Sequence, residues 1–134
     1  MINIYVAGQP VGKARPRVTR SGRVYTPTKT MQAEQGIREA AEHAMQGRDP
    51  LDQPLVASMV FCMQIPKSWS KAKRQQAEDG QILPAAKPDI DNLAKTVMDA
   101  LNGMVYEDDS QVVQLAVSKR YSTEPKTLIS IKPA

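Results

Sequence analysis

Residues 54 to 66, PLVASMVFCMQIP, run without a single charge between two prolines, and this stretch constrains the fold more than any other. It is too short to cross a bilayer. A largely apolar run of this length, bounded by prolines, reads as a long and mostly buried strand. The rest of the chain must then supply the neighbours of that strand and the helices that cover it.

The flanking segments supply both. INIYVAG at the start reads as a strand that ends at Gly8. QPVGKARPRVTRSGRVYTPTKT, broken by three prolines and two glycines, reads as a loop or an irregular basic hairpin turning at Ser21-Gly22. From Thr28 or Thr30 to about Gln46 the apolar positions Ala33, Ile37, Ala40, Ala41 and Ala44 repeat at helical spacing, and Gly47 stops the helix. KSWSKAKRQQAEDG reads as a short helix capped by Ser68 or Ser70 and stopped at Gly80. A further helix carries Leu93, Val97 and Leu101 on one stripe and ends near Asn102-Gly103. QVVQLAVSKRY and KTLISIK read as two strands, which STEP joins as a hairpin. The expected fold is an α/β (α+β) sandwich: one domain over residues 1–134 with a mixed sheet and helices packed on it. A length of 134 residues suits one such core and is too short for two.

The single cysteine, Cys62, excludes an intramolecular disulfide and a cysteine-built zinc site. It lies in the apolar strand and is expected in the core. With no signal-peptide pattern at the start, the expected location is the cytoplasm. Net charge is only +4, but it is unevenly placed. The first 33 residues hold Lys13, Arg15, Arg17, Arg20, Arg23 and Lys29 and no acid. From Asp89 to Asp109 there are six acids, Asp89, Asp91, Asp99, Glu107, Asp108 and Asp109, against one base, Lys95. A polyanion would be drawn to the first region and repelled by the second unless cations sit among the carboxylates.

Within that acidic segment, KPDIDNLAK places two aspartates around Ile90 at the start of a helix. One aspartate suffices for a cap. If the segment is extended, Asp89 and Asp91 project together while Ile90 turns to the core. Paired carboxylates repel, and a shared proton or a bound cation relieves them. If the strand after YEDDSQV lies alongside, Asp108 or Asp109 completes an all-oxygen site suited to Mg²⁺ or Mn²⁺ and to phosphoryl chemistry. Lys95, one helical turn beyond Asp91, is placed to touch the scissile phosphate, orient water or stabilise developing charge. The alternative is a plain one: Asp91 caps the helix, Lys95 is its surface ion-pair partner, and EDD is a solvated turn.

DIDNLAK followed by MDALNG and YEDDSQV, together with the basic opening GKARPRVTRSGRVYTP, resembles the RusA family of Holliday junction resolvases, small bacterial and phage endonucleases. The resemblance implies a homodimer that makes paired, symmetric nicks across four-way junction DNA in recombination and repair, with Mg²⁺ required and Mn²⁺ able to replace it. By motif, the family's essential acids fall on Asp89, Asp91 and Asp109, with Asp108 as the alternative to Asp109, and its functional lysine falls on Lys95. Junction arms would then be carried by Lys13, Arg15, Arg17, Arg20, Arg23, Lys29, Lys67, Lys73, Arg74 and Lys87. Two rival readings are a non-catalytic basic nucleic-acid-binding module and a metal nuclease acting on other branched DNA.

Other residues are expected to be structural. His43 is a lone histidine on a helix. Trp69 either stacks on an unpaired base or anchors the short helix. Gly8 to Lys13 lacks the spacing and the hydroxyl residue of a phosphate loop, so no nucleotide cofactor is expected.

Overall fold

In the computed structural model, which describes residues 1–14, 17–25 and 27–134, the chain runs β1 (Ile2–Ala7), β2 (Arg17–Val18), β3 (Val24–Tyr25), α1 (Thr28–Met45), β4 (Leu55–Gln64), α2 (Lys71–Glu78), α3 (Ile90–Leu101), β5 (Val112–Ser122) and β6 (Lys126–Pro133). The uncharged run becomes β4 and lies inside a four-stranded sheet of order β1-β6-β4-β5. β4 pairs parallel to β5 and antiparallel to β6, and β1 completes the sheet antiparallel to β6. The chain is thus one α+β domain on a mixed sheet, as the sequence implies. The basic opening forms a two-stranded ribbon, β2 with β3, whose turn holds Gly22 at a φ of 84°.

One pairing departs from the sequence reading. STEP does not close a hairpin between β5 and β6, because β4 lies between them: Cys62 is opposite Arg120 on one side and Lys126 on the other. A hairpin would have left β4 at an edge, with one row of its backbone groups unpaired. Inside the sheet, the most apolar strand has partners for the N–H and C=O groups on both sides.

Alternation along β4 divides the sheet into two faces. Leu55, Ala57, Met59, Phe61 and Met63 are buried on one face, in register with Ile129 and Ile131 of β6, which in turn face Ile4 and Ile2 of β1. The helices α1 and α3 cover this face with Ile37, Ala41 and Met45 from the first and Leu93, Val97 and Leu101 from the second. Asn3, Tyr5 and Ser58 on the opposite face are exposed.

Polar contacts then fix the helices. Arg38 of α1 donates to the carbonyls of Ala100 (2.9 Å) and Asn102 (3.4 Å), at the end of α3 where helical carbonyls lose their partners. Arg48 does the same for α1, at Met45 (2.9 Å) and Ala44 (3.1 Å). α1 ends with Gln46 in the left-handed region ahead of Gly47. Ser70 caps α2, accepting from the Lys73 N–H at 3.2 Å. Trp69 meets Tyr121 of β5 edge-on at 5.3 Å, and the Lys73 ammonium lies 4.0 Å over its ring. Trp69 therefore anchors α2 against the sheet. Cys62 is buried, as expected, and His43 is exposed. Among the described residues no helix is long and apolar enough to cross a membrane.

The fully buried Tyr106 reaches under α3 and donates its hydroxyl to the Met98 carbonyl at 2.7 Å. Tyr106→Phe keeps the ring packing and leaves that carbonyl without the hydroxyl. Urea denaturation is expected to show a loss of about 1 kcal/mol at unchanged m-value; no loss would contradict the role given to the hydroxyl.

Candidate active site

The helix carrying the paired aspartates begins earlier than an extended Asp89–Asp91 segment allows. Asp89 is the extended N-cap residue (φ −65°, ψ 147°) and Ile90 already belongs to α3. Ile90 is 39% exposed instead of turned to the core. Ile90 shares the face of Leu93, Ala94 and Val97 but stands at the first position of α3, where the stripe is no longer covered. Asp89 makes no side-chain cap bond. Asp91 accepts the N–H of Asn92 at 3.0 Å, within the first turn, where a negative charge is favoured by the helix dipole. Both carboxylates are exposed, and among the described residues neither forms an ion pair.

Lys95 takes neither partner. Its ammonium bonds Asp99 at 2.9 Å, one turn further along α3, so the plain reading of an Asp91–Lys95 surface pair does not hold. Asp99 also holds Lys13 at 3.2 Å, and Lys13 in turn pairs with Glu34 of α1.

Lys13 arrives there because the N-terminal segment lies across the first turn of α3. Its N–H bonds the Asn92 carbonyl at 3.1 Å, and the Ala14 N–H bonds the Thr30 hydroxyl at 3.3 Å. The neighbouring Gly12 crosses Pro88 so closely that a Cβ there would lie 2.9 Å from the proline Cβ. Only glycine passes without a shift. Lys119 of β5 supports the other side of the motif, donating to the Ala86 and Pro88 carbonyls at 3.0 Å each.

The second acidic group is a built turn. Asp108 caps a 3₁₀ turn over Asp109–Gln111, its N–H bonds the Gln111 side chain at 2.8 Å, and Gln111 reaches the Leu51 (2.8 Å) and Gln53 (3.0 Å) carbonyls. The Asp108 carboxylate takes the Ser110 hydroxyl, which holds it below the usual carboxylate range. Asp109 is half-buried, and its N–H bonds the Asn102 side chain at 3.0 Å at the end of α3. Its charge acts on Lys95. Among the described residues no three acidic, histidine or cysteine side chains stand close enough together to hold a metal ion. The chemistry of Asp89 and Asp91 nevertheless fits a divalent cation, since Mg²⁺ commonly takes only one or two carboxylates and completes its shell with water and phosphate.

An open groove of about 560 Å³ runs beside these residues, lined by Lys13, Lys29, Lys87, Pro88, Asp89 and Asn92 among others. Cations and one of the paired aspartates thus face the same space, although the bases come from distant parts of the chain.

The family described as Endodeoxyribonuclease RusA matches residues 7–132. The chain belongs to the RusA family. A Bacillus subtilis (strain 168) relative, the uncharacterised protein YqaN, is 39% identical over 137 residues, covering 98% of this chain and 95% of that protein. RusA proteins are Holliday junction endodeoxyribonucleases and metal-dependent in general, so the chain is an enzyme of this class.

On this RusA domain the basic residues singled out from the sequence do not form one group. Lys13 is engaged with carboxylates, whereas Lys29 and Lys87 are exposed on the groove. Arg20 and Arg23 are exposed on the β2–β3 ribbon, and Lys67 and Lys73 lie exposed at α2, with Arg74 half-buried. Arg17 lies in β2, and Arg15 is outside the described residues. Sequence reasoning missed Gly12, Glu34 and Lys119 and gave Asp99 no role. A lysine on a strand or an acid on a helix carries no local mark of its partner. Only the DNLAKTVMD spacing, with Lys95 four residues from acids on both sides, hinted that Asp99 competes for it.

Burial pushes the Asp99 carboxyl up, but its bonds to Lys95 and Lys13 outweigh this and hold it below 3.8. Burial lowers Lys13, which its bonds to Glu34 and Asp99 more than offset, and the Asp99 bond raises Lys95; both end above 10.5. A lowered carboxyl contributes stability in full above 3.8 and loses it as pH falls through the depressed value; the raised lysines contribute in full below 10.5 and lose it as pH rises through theirs. With Asp99 24% exposed, the contribution is at most about 1 kcal/mol. The difference in thermal stability between native protein and Asp99→Asn is therefore expected to be flat from about pH 5 to 9 and to close below about pH 4. A difference that changed across neutral pH would contradict this assignment.

Proposed function

We propose that the protein is a homodimeric, Mg²⁺-dependent Holliday junction resolvase that makes paired, symmetric nicks in four-way junction DNA, with Mn²⁺ able to replace Mg²⁺. The observation that carries this reading is the pair of exposed carboxylates on Asp89 and Asp91, free of lysine partners among the described residues and placed beside a groove lined by Lys13, Lys29 and Lys87. A carboxylate pair left without a cation, in a chain that has cations close by, suits a ligand set for a metal.

Asp89 and Asp91 would hold the cation, with water and phosphate in its remaining positions; Asp109 would reach it as a third oxygen donor only by movement of the turn that carries it, since no three acids stand close enough together among the described residues. Asp109 is favoured over Asp108 because the Asp108 carboxylate is engaged by Ser110, while Asp109 acts on the α3 side. When bound, the cation would neutralise non-bridging phosphate oxygens and lower the pKa of its water. Lys95, with one of three ammonium donors used by Asp99, has donors left for a non-bridging oxygen on which charge develops. Lys29 and Lys87 would hold flanking phosphates, and Arg15, Arg17, Arg20, Arg23, Lys67, Lys73 and Arg74 would carry the junction arms. Two equivalent cuts on a nearly two-fold substrate are most simply made by a two-fold protein, which supports the homodimer. Family membership supports junction DNA as the substrate.

The test is a nicking assay on a synthetic four-way junction and a linear duplex, comparing native protein with Asp91→Asn in Mg²⁺ and in EDTA. Native protein is expected to nick the junction in pairs only with metal. Asp91→Asn should bind the junction but cut it roughly a hundredfold or more slowly, on the scale of losing one transition-state contact. Equal junction binding by both proteins with no cutting in Mg²⁺ or Mn²⁺ would mean a binding module. Metal-dependent cutting without preference for four-way junctions would mean a nuclease of other branched DNA.

A further inference from the structure

Lys95 stands four residues after Asp91 and four before Asp99, so both carboxylates lie on its side of α3 within one turn. In an isolated helix the acid on the N-terminal side is the better partner, because that order agrees with the helix dipole. Helix rules alone would therefore give Lys95 to Asp91. The protein does the reverse: Lys95 bonds Asp99 Oδ1 at 2.9 Å, and among the described residues the Asp91 carboxylate accepts from the Asn92 N–H alone.

Tertiary structure explains the inversion. Asp99 is held where its second oxygen takes Lys13 at 3.2 Å, and Lys13 is itself fixed by Glu34 and, through its N–H, by the Asn92 carbonyl. A carboxylate anchored by a second lysine and only 24% exposed makes a better partner than a solvated one at the helix start. Asp109, held at the end of α3 by its N–H bond to the Asn102 side chain at 3.0 Å, adds negative charge on that side of Lys95. Lys13, introduced above as a base of the DNA-facing arm, thus takes part in the electrostatics of α3.

We propose that Asp99 is a positioning residue that draws the Lys95 ammonium away from Asp91 and so keeps the Asp91 carboxylate free for the divalent cation. This rests on the reading that Asp91 is a metal ligand. Without Asp99, Lys95 would turn back by one turn, pair with Asp91 and compete with the metal for it.

The measurement is Mn²⁺ binding by calorimetry, without DNA, for native protein, Asp91→Asn, Asp99→Asn, Asp99→Glu and the double variant Asp99→Asn/Lys95→Met. Native protein should bind Mn²⁺, and Asp91→Asn should lose that site. Asp99→Asn should bind roughly tenfold more weakly, on the scale at which groups around metal ligands act. Asp99→Glu, which keeps a carboxylate within reach of Lys95, should restore much of the native affinity. The double variant should restore it as well, since the competing ammonium is gone; a fold damaged by the loss of Asp99 would not be repaired by removing a second side chain. Unchanged binding by Asp99→Asn, or weak binding that the double variant fails to restore, would overturn the positioning role. Equal binding by native protein and Asp91→Asn, or none by either, would instead overturn the reading of Asp91 as a ligand.

Discussion

The contact of the Lys13 N–H with the Asn92 carbonyl, at 3.1 Å, joins the two parts of the chain whose charges differ most. It brings the acid-free opening onto the helix that carries the paired aspartates. Gly12 permits it by passing Pro88 without a side chain, and the ammonium of Lys13 completes it on Glu34 and Asp99. The uneven charge of the sequence is in this way a spatial arrangement: opposite charges are kept near one another, some paired and some left open. The pairing is selective. Asp99 and Glu34 neutralise lysines, whereas Asp89 and Asp91 remain without them among the described residues.

The scaffold makes that selectivity possible by fixing α3 from several sides. β4 inside the sheet presents an apolar face on which α3 lies by Leu93, Val97 and Leu101. Arg38 and Tyr106 hold its last turn, and Lys119 holds the loop that leads into its first. Each of these polar contacts reaches a backbone carbonyl, so side chains from three other parts of the chain set the position of the helix without occupying the carboxylates. Packing to native density would resist displacement of a helix gripped in this manner, and the cation site proposed at Asp89 and Asp91 would need such constancy.

Much of the architecture was legible because burial leaves periodic marks. The strand patterns of β1, β5 and β6, the stripe of α3, the Ser70 cap and the glycine after α1 all act within a few residues, and the elements form there, with α3 alone starting earlier than an extended Asp89–Asp91 segment allows. What sequence could not carry was partner choice between distant segments. STEP has the composition of a hairpin turn, yet β4 lies between the strands it joins, because the demand of an apolar strand for two neighbours outweighs a local turn preference. Ile90 looks like a core residue by type and is exposed, because it stands at the first position of α3, beyond the covered part of its stripe. Asp89, Asp91, Lys95 and the DDSQ turn were visible as a motif. Gly12, Glu34, Asp99 and Lys119 were not, since their roles exist only once the opening segment and β5 reach α3.

On the proposed reading, a divalent cation is held at the start of α3 by Asp89 and Asp91, beneath the opening segment. Paramagnetic broadening by trace Mn²⁺ in ¹⁵N-labelled protein tests it directly. The amide signals of Ile90, Asp91 and Asn92 should broaden first, together with Gly12 and Lys13, and Asp91→Asn should abolish the effect. Broadening confined to Asp108, Asp109 and Ser110, with the first turn of α3 unaffected, would place the cation elsewhere and contradict the claim.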